Sequence, residues 1–296
     1  MEGRNLFDVQ HQQEDKMFEN ATALSQWAHV PWEYENPPIF TSTWMEKVDD
    51  PGWKTYMRLN QHVPFYVAIM YLVVIFGLQA YLKNRPGFEL RKPLILWNWL
   101  LGIFSMFGFW RMSQELYYVL SLPNGFHKSV CIREGLNEPL AFWAVLFALS
   151  KFIELGDTLF IVLRKQPLLF IQWYHHCITM CFVWHIYPYS EPIQRWYGVM
   201  NFGVHSIMYP YFALRAMKVK VPRRLAMALT SLQLVQMVIG MLVNIYSVYV
   251  LSYRREFCAR DSYTIKWSIG VYSSFVLLFA DFLINRYFPK NKPKSS

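Results

Sequence analysis

Charge is scarce in this chain. Asp, Glu, Lys and Arg make up 17% of its 296 residues, against about 25% in soluble domains. That shortage argues against a soluble globular protein. No repeat, linker or low-complexity tract divides the sequence, so a single integral domain is expected. Nor does an apolar leader open it. The first stretch is polar and acidic, which excludes a cleavable signal peptide. Histidine is also sparse, at eight residues. His11, His29, His62 and His127 fall outside the apolar runs or at their edges. Too few histidines remain for the two-metal site of a membrane di-iron desaturase or hydroxylase, so that rival is weak and no metal is expected.

What is abundant is apolar surface. Hydrophobic residues make up 54% and aromatics 18%. Apolar stretches of about 20 residues recur along the chain, as in a polytopic helical membrane protein. The pattern predicts an all-α integral membrane protein with seven spans, at roughly 63–82, 93–112, 140–163, 167–187, 195–215, 225–250 and 266–286. Residues 1–61 form an N-terminal segment, 62–287 the membrane domain and 288–296 a tail.

The net charge of +9 raises the question of nucleic acid. The basic residues, however, cluster in short loops between apolar runs. Lys83–Lys92, Arg164-Lys165, Arg215–Arg224 and the tail from Arg286 carry four, two, five and four Lys or Arg. The first 61 residues carry ten Asp or Glu against five Lys or Arg. The positive-inside rule puts the N-terminus outside the cytosol and the C-terminus inside. The lipid bilayer, not nucleic acid, is the expected partner. The tail Lys292-Pro-Lys294-Ser-Ser resembles a dilysine signal for retrieval to the endoplasmic reticulum. Asn20-Ala21-Thr22 is a glycosylation acceptor usable only in the lumen. Cys131 and Cys258 fall in loops assigned to the lumen, where a disulfide between them is expected. Cys177 and Cys181 lie within the fourth span, where free cysteine usually packs as a small hydrophobe.

Two adjacent histidines, His175 and His176, lie inside that fourth span. Ionisable groups in hydrocarbon are expensive and point to function. A lone histidine there is readily satisfied by a neighbouring helix. This pair has company at the same depth. A rise of about 1.5 Å per residue puts His175 and His176 roughly 12–14 Å from the cytosolic end. Asp157 and Glu154 come to about 9–14 Å, with Lys151 one turn deeper, and His205 to about 15 Å, with Asn201 further in. Gln233 and Gln236 come to about 12–17 Å. Residues three or four apart share a helix face. Four stripes result: Lys151, Glu154, Asp157 and Thr158; Gln172, His175 and His176; Asn201, His205 and Tyr209; Thr230, Gln233 and Gln236. Scattered interhelical hydrogen bonds explain single Asn or Gln residues, but four aligned stripes imply a polar cavity open to the cytosol.

The same residues resemble the very-long-chain fatty acid elongases, the ELO family. Lys151-Phe-Ile-Glu154-Leu155-Gly-Asp157-Thr158 is similar to the family's K-x-x-E-L-x-D-T. Gln172-Trp-Tyr-His175-His176 occupies the place of its H-x-x-H-H box. Asn201-Phe-Gly-Val-His205-Ser-Ile-Met208-Tyr209 resembles N-x-x-x-H-x-x-M-Y, and Thr230-Ser-Leu-Gln233-Leu-Val-Gln236 resembles T-x-x-Q-x-x-Q. Each is weak alone; the four in order are specific. Phe88–Trp97 and Trp173-Tyr174 further resemble the branch acting on saturated and monounsaturated chains.

The resemblance implies seven helices, six of them around a narrow tunnel closed at the lumenal end. It implies a 3-oxoacyl-CoA synthase that condenses acyl-CoA with malonyl-CoA and uses no further cofactor. Other enzymes of the elongation cycle and copies of this chain are further expected partners. Carried over, His175 is the nucleophile that forms an acyl-imidazole, and His205 orients the thioester or assists at the enolate. His176 supports the site. Asp157 and Glu154 orient the imidazoles and Lys151 balances their charge. Asn201, Gln233 and Gln236 donate to oxyanions, while Gln172 and Tyr209 line the substrate. Arg164, Lys165, Lys218 and Arg223 suit the phosphates of CoA, although the positive-inside rule accounts for them equally well. Cys177 is the competing nucleophile, but it points about 100° away from His176.

One departure is chemical. Gln172 stands where the family box has its first histidine, and an amide cannot transfer protons. A catalytically silent elongase-like subunit, or a seven-helix receptor or transporter, therefore stays open. Pro210 and Phe212 depart from the family's tyrosine-rich segment, and Pro210 is expected to disturb the backbone near His205.

Overall fold

The computed structural model of the protein describes residues 41–133 and 137–288, and among them there is no β-strand. Asn20 and the dilysine-like tail lie outside the described residues. Among the described residues ten α-helices follow one another: α1 (Asp50–Leu59), α2 (Val63–Tyr81), α3 (Arg91–Ser121), α4 (Gly125–Cys131), α5 (Glu138–Ile153), α6 (Leu155–Leu163), α7 (Phe170–Ile186), α8 (Gln194–Ala216), α9 (Arg223–Tyr249) and α10 (Ser262–Tyr287). A 3-10 turn at Tyr187–Tyr189 follows α7, and a π turn at Val250–Arg254 prolongs α9.

Four helices are long and apolar enough to cross a membrane: α2, α3, α9 with its π extension, and α10. Helix also occupies the other predicted segments, with differences that have physical causes. The segment predicted as one span at 140–163 is two helices meeting at Glu154, whose φ of −59° and ψ of −17° tighten the turn. Helix α7 is 17 residues long and carries the polar stripe, so length and composition alone do not mark it as a span.

Helix α3 runs to Ser121, well past the expected end near residue 112, and α4 occupies part of what was expected to be loop. Charges near that expected end are paired inside the bundle. Glu115 lies 2.7 Å from Arg195 with both side chains fully buried, and Arg111 lies 2.6 Å from Glu46. The N-terminal segment, read as polar, also holds a helix. In α1, Asp49 accepts from the Gly52 N–H at 3.0 Å, an N-cap that starts the element.

The closest pairing is α3 against α8. A Cβ on Gly102 would come within 2.9 Å of the Pro210 ring, and one on Gly108 within 2.7 Å of Phe202. Only glycine allows these approaches. Pro210 therefore leaves α8 continuous from Gln194 to Ala216, contrary to the expected disturbance. Its ring fills the hollow at Gly102.

At one end of the bundle Cys131 and Cys258 form a disulfide, and the Ala259 N–H donates to the Cys131 carbonyl at 2.8 Å. Beside it Arg260 lies 2.8 Å from Glu191 and donates to Asn244 at 3.1 Å, which also accepts from Tyr197 at 2.8 Å. Glu191 takes further hydrogen bonds from Thr264 and the Asp261 N–H. Burial pushes the Glu191 carboxyl up from its ordinary range, against the pull of Arg260.

Candidate active site

The break at Glu154 turns the α5–α6 face inward. There it meets α7 and α8, and the polar stripes come together as two linked clusters.

The first is built on Lys151, which is almost fully buried. Its ammonium donates to Glu154 Oε1 at 2.7 Å and to Asn201 Oδ1 at 2.8 Å. Ser150 Oγ donates to the same Glu154 oxygen at 3.0 Å. Lysine can only donate, so the Asn201 oxygen must face it and the amide nitrogen must face the other way. That nitrogen lies 3.3 Å from His205 Nε2. His205 Nε2 therefore accepts, and its proton sits on Nδ1, which lies 3.8 Å from Glu154 Oε1. Lys151 thus sets the tautomer of an imidazole it does not touch.

The second cluster is built on Asp157. Trp97 Nε1 from α3 donates to Oδ1 at 2.6 Å, and the Tyr209 hydroxyl from α8 donates to Oδ2 at 2.8 Å. His176 Nε2 lies 3.9 Å from Oδ2, too far for a hydrogen bond. Asp157 therefore stands beside His176 without bonding it.

His175 has a more apolar setting than His176, which is likewise half-buried and without a hydrogen bond to the described residues. The His175 ring packs against Phe275 at 4.9 Å and Phe279 at 5.9 Å, both on α10, and lies edge-on to His176 at 5.5 Å. It makes no hydrogen bond to any of the described residues, and it is only half-buried. An unbonded, accessible imidazole against apolar rings keeps its lone pair available.

The other expected site residues are more dispersed. The Gln172 carbonyl accepts from the Leu169 N–H at 3.1 Å and caps the start of α7. Gln233 donates to the Met208 sulfur at 3.2 Å, Thr230 to the Ala226 carbonyl at 3.2 Å, and Gln236 is buried. Tyr209 is 2% exposed and its hydroxyl is bonded to Asp157, so it builds the cluster from below.

The four basic residues expected to meet CoA lie at the bundle end opposite the disulfide. Lys165, at φ 52°, donates to the Lys83 and Arg85 carbonyls at 3.1 and 2.9 Å. Arg164 is half-buried, Lys218 is exposed, and Arg223 sits 5.9 Å from the Tyr287 ring. Cys177 and Cys181 are buried free thiols.

Sequence reasoning gave no role to Trp97, Ser150, Phe275 or Phe279. Trp97 sat in the segment used for family likeness, but nothing local announced a partner sixty residues away. Phe275 and Phe279 are i and i+4 on α10, a spacing that reads equally well as lipid-facing or core.

Among known proteins, the chain matches the ELO family, described as the GNS1/SUR4 family, over residues 56–295. It is 44% identical to very long chain fatty acid elongase 6 of Drosophila melanogaster, over 82% of this chain and 77% of that one. It is 43% identical to very long chain fatty acid elongase 3 of Homo sapiens, over 78% of this chain and 85% of the relative. Against very long chain fatty acid elongase 6 of Homo sapiens it is 40% identical, over 79% and 88% of the two chains.

Proposed function

The chain belongs to the ELO family, and from that membership we propose that it is the condensing enzyme of fatty acid elongation, a very-long-chain 3-oxoacyl-CoA synthase. Its substrates are a long-chain acyl-CoA and malonyl-CoA. The observation that carries the reading is His175: an accessible imidazole free of hydrogen bonds, between apolar rings and the two polar clusters.

A nitrogen of His175 attacks the thioester carbonyl. The C–S bond breaks, and CoA leaves as the thiol with the proton the imidazole gives up. Malonyl-CoA then loses CO2. The electron pair of the broken C–C bond becomes an enolate, which attacks the acyl carbon and displaces His175, and the departing imidazole takes up one proton from water to return to its neutral form. The product is 3-oxoacyl-CoA, two carbons longer. Asp157 stands beside His176 without bonding it, and the fixed tautomer of His205 leaves Nδ1–H to meet a developing oxyanion. Exclusion of water protects the acyl-imidazole from hydrolysis.

In this reading seven passes of the chain cross the membrane of the endoplasmic reticulum, six of them around the acyl tunnel. The disulfide end faces the lumen. The end with Arg164, Lys165, Lys218 and Arg223 faces the cytosol and receives the CoA phosphates.

The silent-subunit alternative rests on Gln172. Its carbonyl is used on the backbone of Leu169. That favours a residue that orients α7 over one that transfers a proton, and it leaves the chemistry to His175.

The test is incorporation of labelled malonyl-CoA by membranes carrying the protein, with a panel of saturated and monounsaturated acyl-CoAs. Labelled 3-oxoacyl products above the level of control membranes are expected. No product with any acyl-CoA would remove the enzyme reading and leave the silent subunit.

A further inference from the structure

We propose that Trp97 is a positioning residue for the condensation, acting through Asp157 on His176; this rests on the elongase reading above. Three observations converge on one atom pair. The indole N–H of Trp97 donates to Asp157 Oδ1 at 2.6 Å, while Tyr209 holds Oδ2 at 2.8 Å. With one donor on each oxygen, the carboxylate cannot rotate. The indole itself cannot move either: its six-membered ring lies on Gly156, where a Cβ would come within 2.7 Å of Cζ2 and 2.8 Å of Cη2. One turn further along α6 it also packs against Phe160, with ring centroids 5.6 Å apart.

The chemical consequence follows from the remaining distance. Asp157 Oδ2 stands 3.9 Å from His176 Nε2. Were Trp97 absent, Oδ1 would need a new donor, and His176 is the nearest imidazole on the facing helix. A direct bond would tie up the His176 ring. The clamp holds Asp157 off the His176 ring and leaves that ring unbonded. Trp97 touches neither substrate nor reacting atoms in this assignment. Gly156, which has no functional group, belongs to the same device because it makes room for the indole.

Two variants reach the clamp from opposite sides. Trp97→Phe removes the N–H. Gly156→Ala keeps every donor but drives the ring off its seat. Each should lower kcat about tenfold or more, the scale of a lost hydrogen bond to a charged group, with KM for acyl-CoA within about twofold of the parent. The diagnostic is the double variant. Phenylalanine is smaller than indole and leaves space for the added methyl, so Gly156→Ala in the Trp97→Phe background should cost less than about a further twofold.

Assays compare equal amounts of monodisperse protein by size-exclusion chromatography, so one variant that fails to fold leaves the other to carry the kcat comparison. Unchanged kcat in either single variant overturns the proposal. So does a rise in KM at constant kcat, which would mark Trp97 as a substrate contact. Losses that multiply in the double variant would reduce Gly156 and Trp97 to separate packing sites and also overturn it. Parent protein that condenses no acyl-CoA at all removes the elongase reading, and this role with it; that outcome is read before any variant is compared.

Discussion

At the residue scale, His175 and His176 are neighbours in sequence with different surroundings. His176 faces the Asp157 carboxylate, whereas His175 faces two phenylalanines and no donor or acceptor. The nucleophile role proposed for His175 draws on its apolar setting, and it gives a direct prediction. Supplied with acyl-CoA but no malonyl-CoA, the protein should gain one acyl mass, and His175→Ala should abolish it. Intact-mass measurement reads this, and an adduct that persists or maps to Cys177 would remove His175 from the role. Glu46 carries a second prediction, on stability. Burial alone would raise its carboxyl, but hydrogen bonds from Arg111, Thr43 and Trp143 outweigh burial and hold the group down at about 2, below its ordinary 4.5. A depressed carboxyl contributes stability that is fully present above its ordinary pKa and is lost as pH falls from 4.5 towards 2. Glu46→Gln should destabilise the fold by roughly 3 kcal/mol at neutral pH. Thermal unfolding in detergent would show this as a lowered Tm, and the gap from the parent should close on acidification.

At the element scale, two features set where the chemistry sits. One is the start of α7. Gln172 caps it through Leu169, and any change in that turn rotates His175, one turn further on. Gln172→His, which restores the family's usual residue, should keep activity within about threefold, since an imidazole can still accept from a backbone N–H. Complete loss in the condensation assay would show that the pocket serves another task. The other feature is the disulfide that joins α4 to the segment before α10 across 127 positions of sequence. Cys131→Ser with Cys258→Ser should cost about 2–5 kcal/mol, read as a fall in Tm that reducing agent reproduces in the parent. Both cysteines found as free thiols by non-reducing peptide mapping would count against the bridge and against a lumenal setting for that end.

At the scale of the whole molecule, the two ends of the bundle differ in kind. One is closed by the disulfide and by buried pairs, Glu115 with Arg195 and Glu191 with Arg260. The other ends in short loops whose basic groups are mostly exposed, with Lys165 spent on the backbone of the α2–α3 loop. Of the basic residues proposed for CoA, Lys218 and Arg223 are the more exposed. Replacing Lys218 and Arg223 together with Gln should raise KM for acyl-CoA about tenfold with kcat little changed. Unchanged kinetics would mean that these residues serve only orientation in the membrane.

The apolar runs, the sidedness bias and the four polar stripes were all legible in the sequence, because helix period and hydrophobic length are local properties. Lys151 with Glu154, and Asn201 with His205, were legible for the same reason: each pair shares a helix face. What only the tertiary structure decided is which stripe meets which, and what each group is held by. Trp97 reaches Asp157 across sixty positions, and the phase of three helices decides that contact. The same holds for the end of the second span. It was expected near residue 112, yet Arg111 and Glu115 pair with distant segments and the helix continues to Ser121. Pairing offsets part of the cost of burying a charge, and pairing across the fold is information that no local pattern contains.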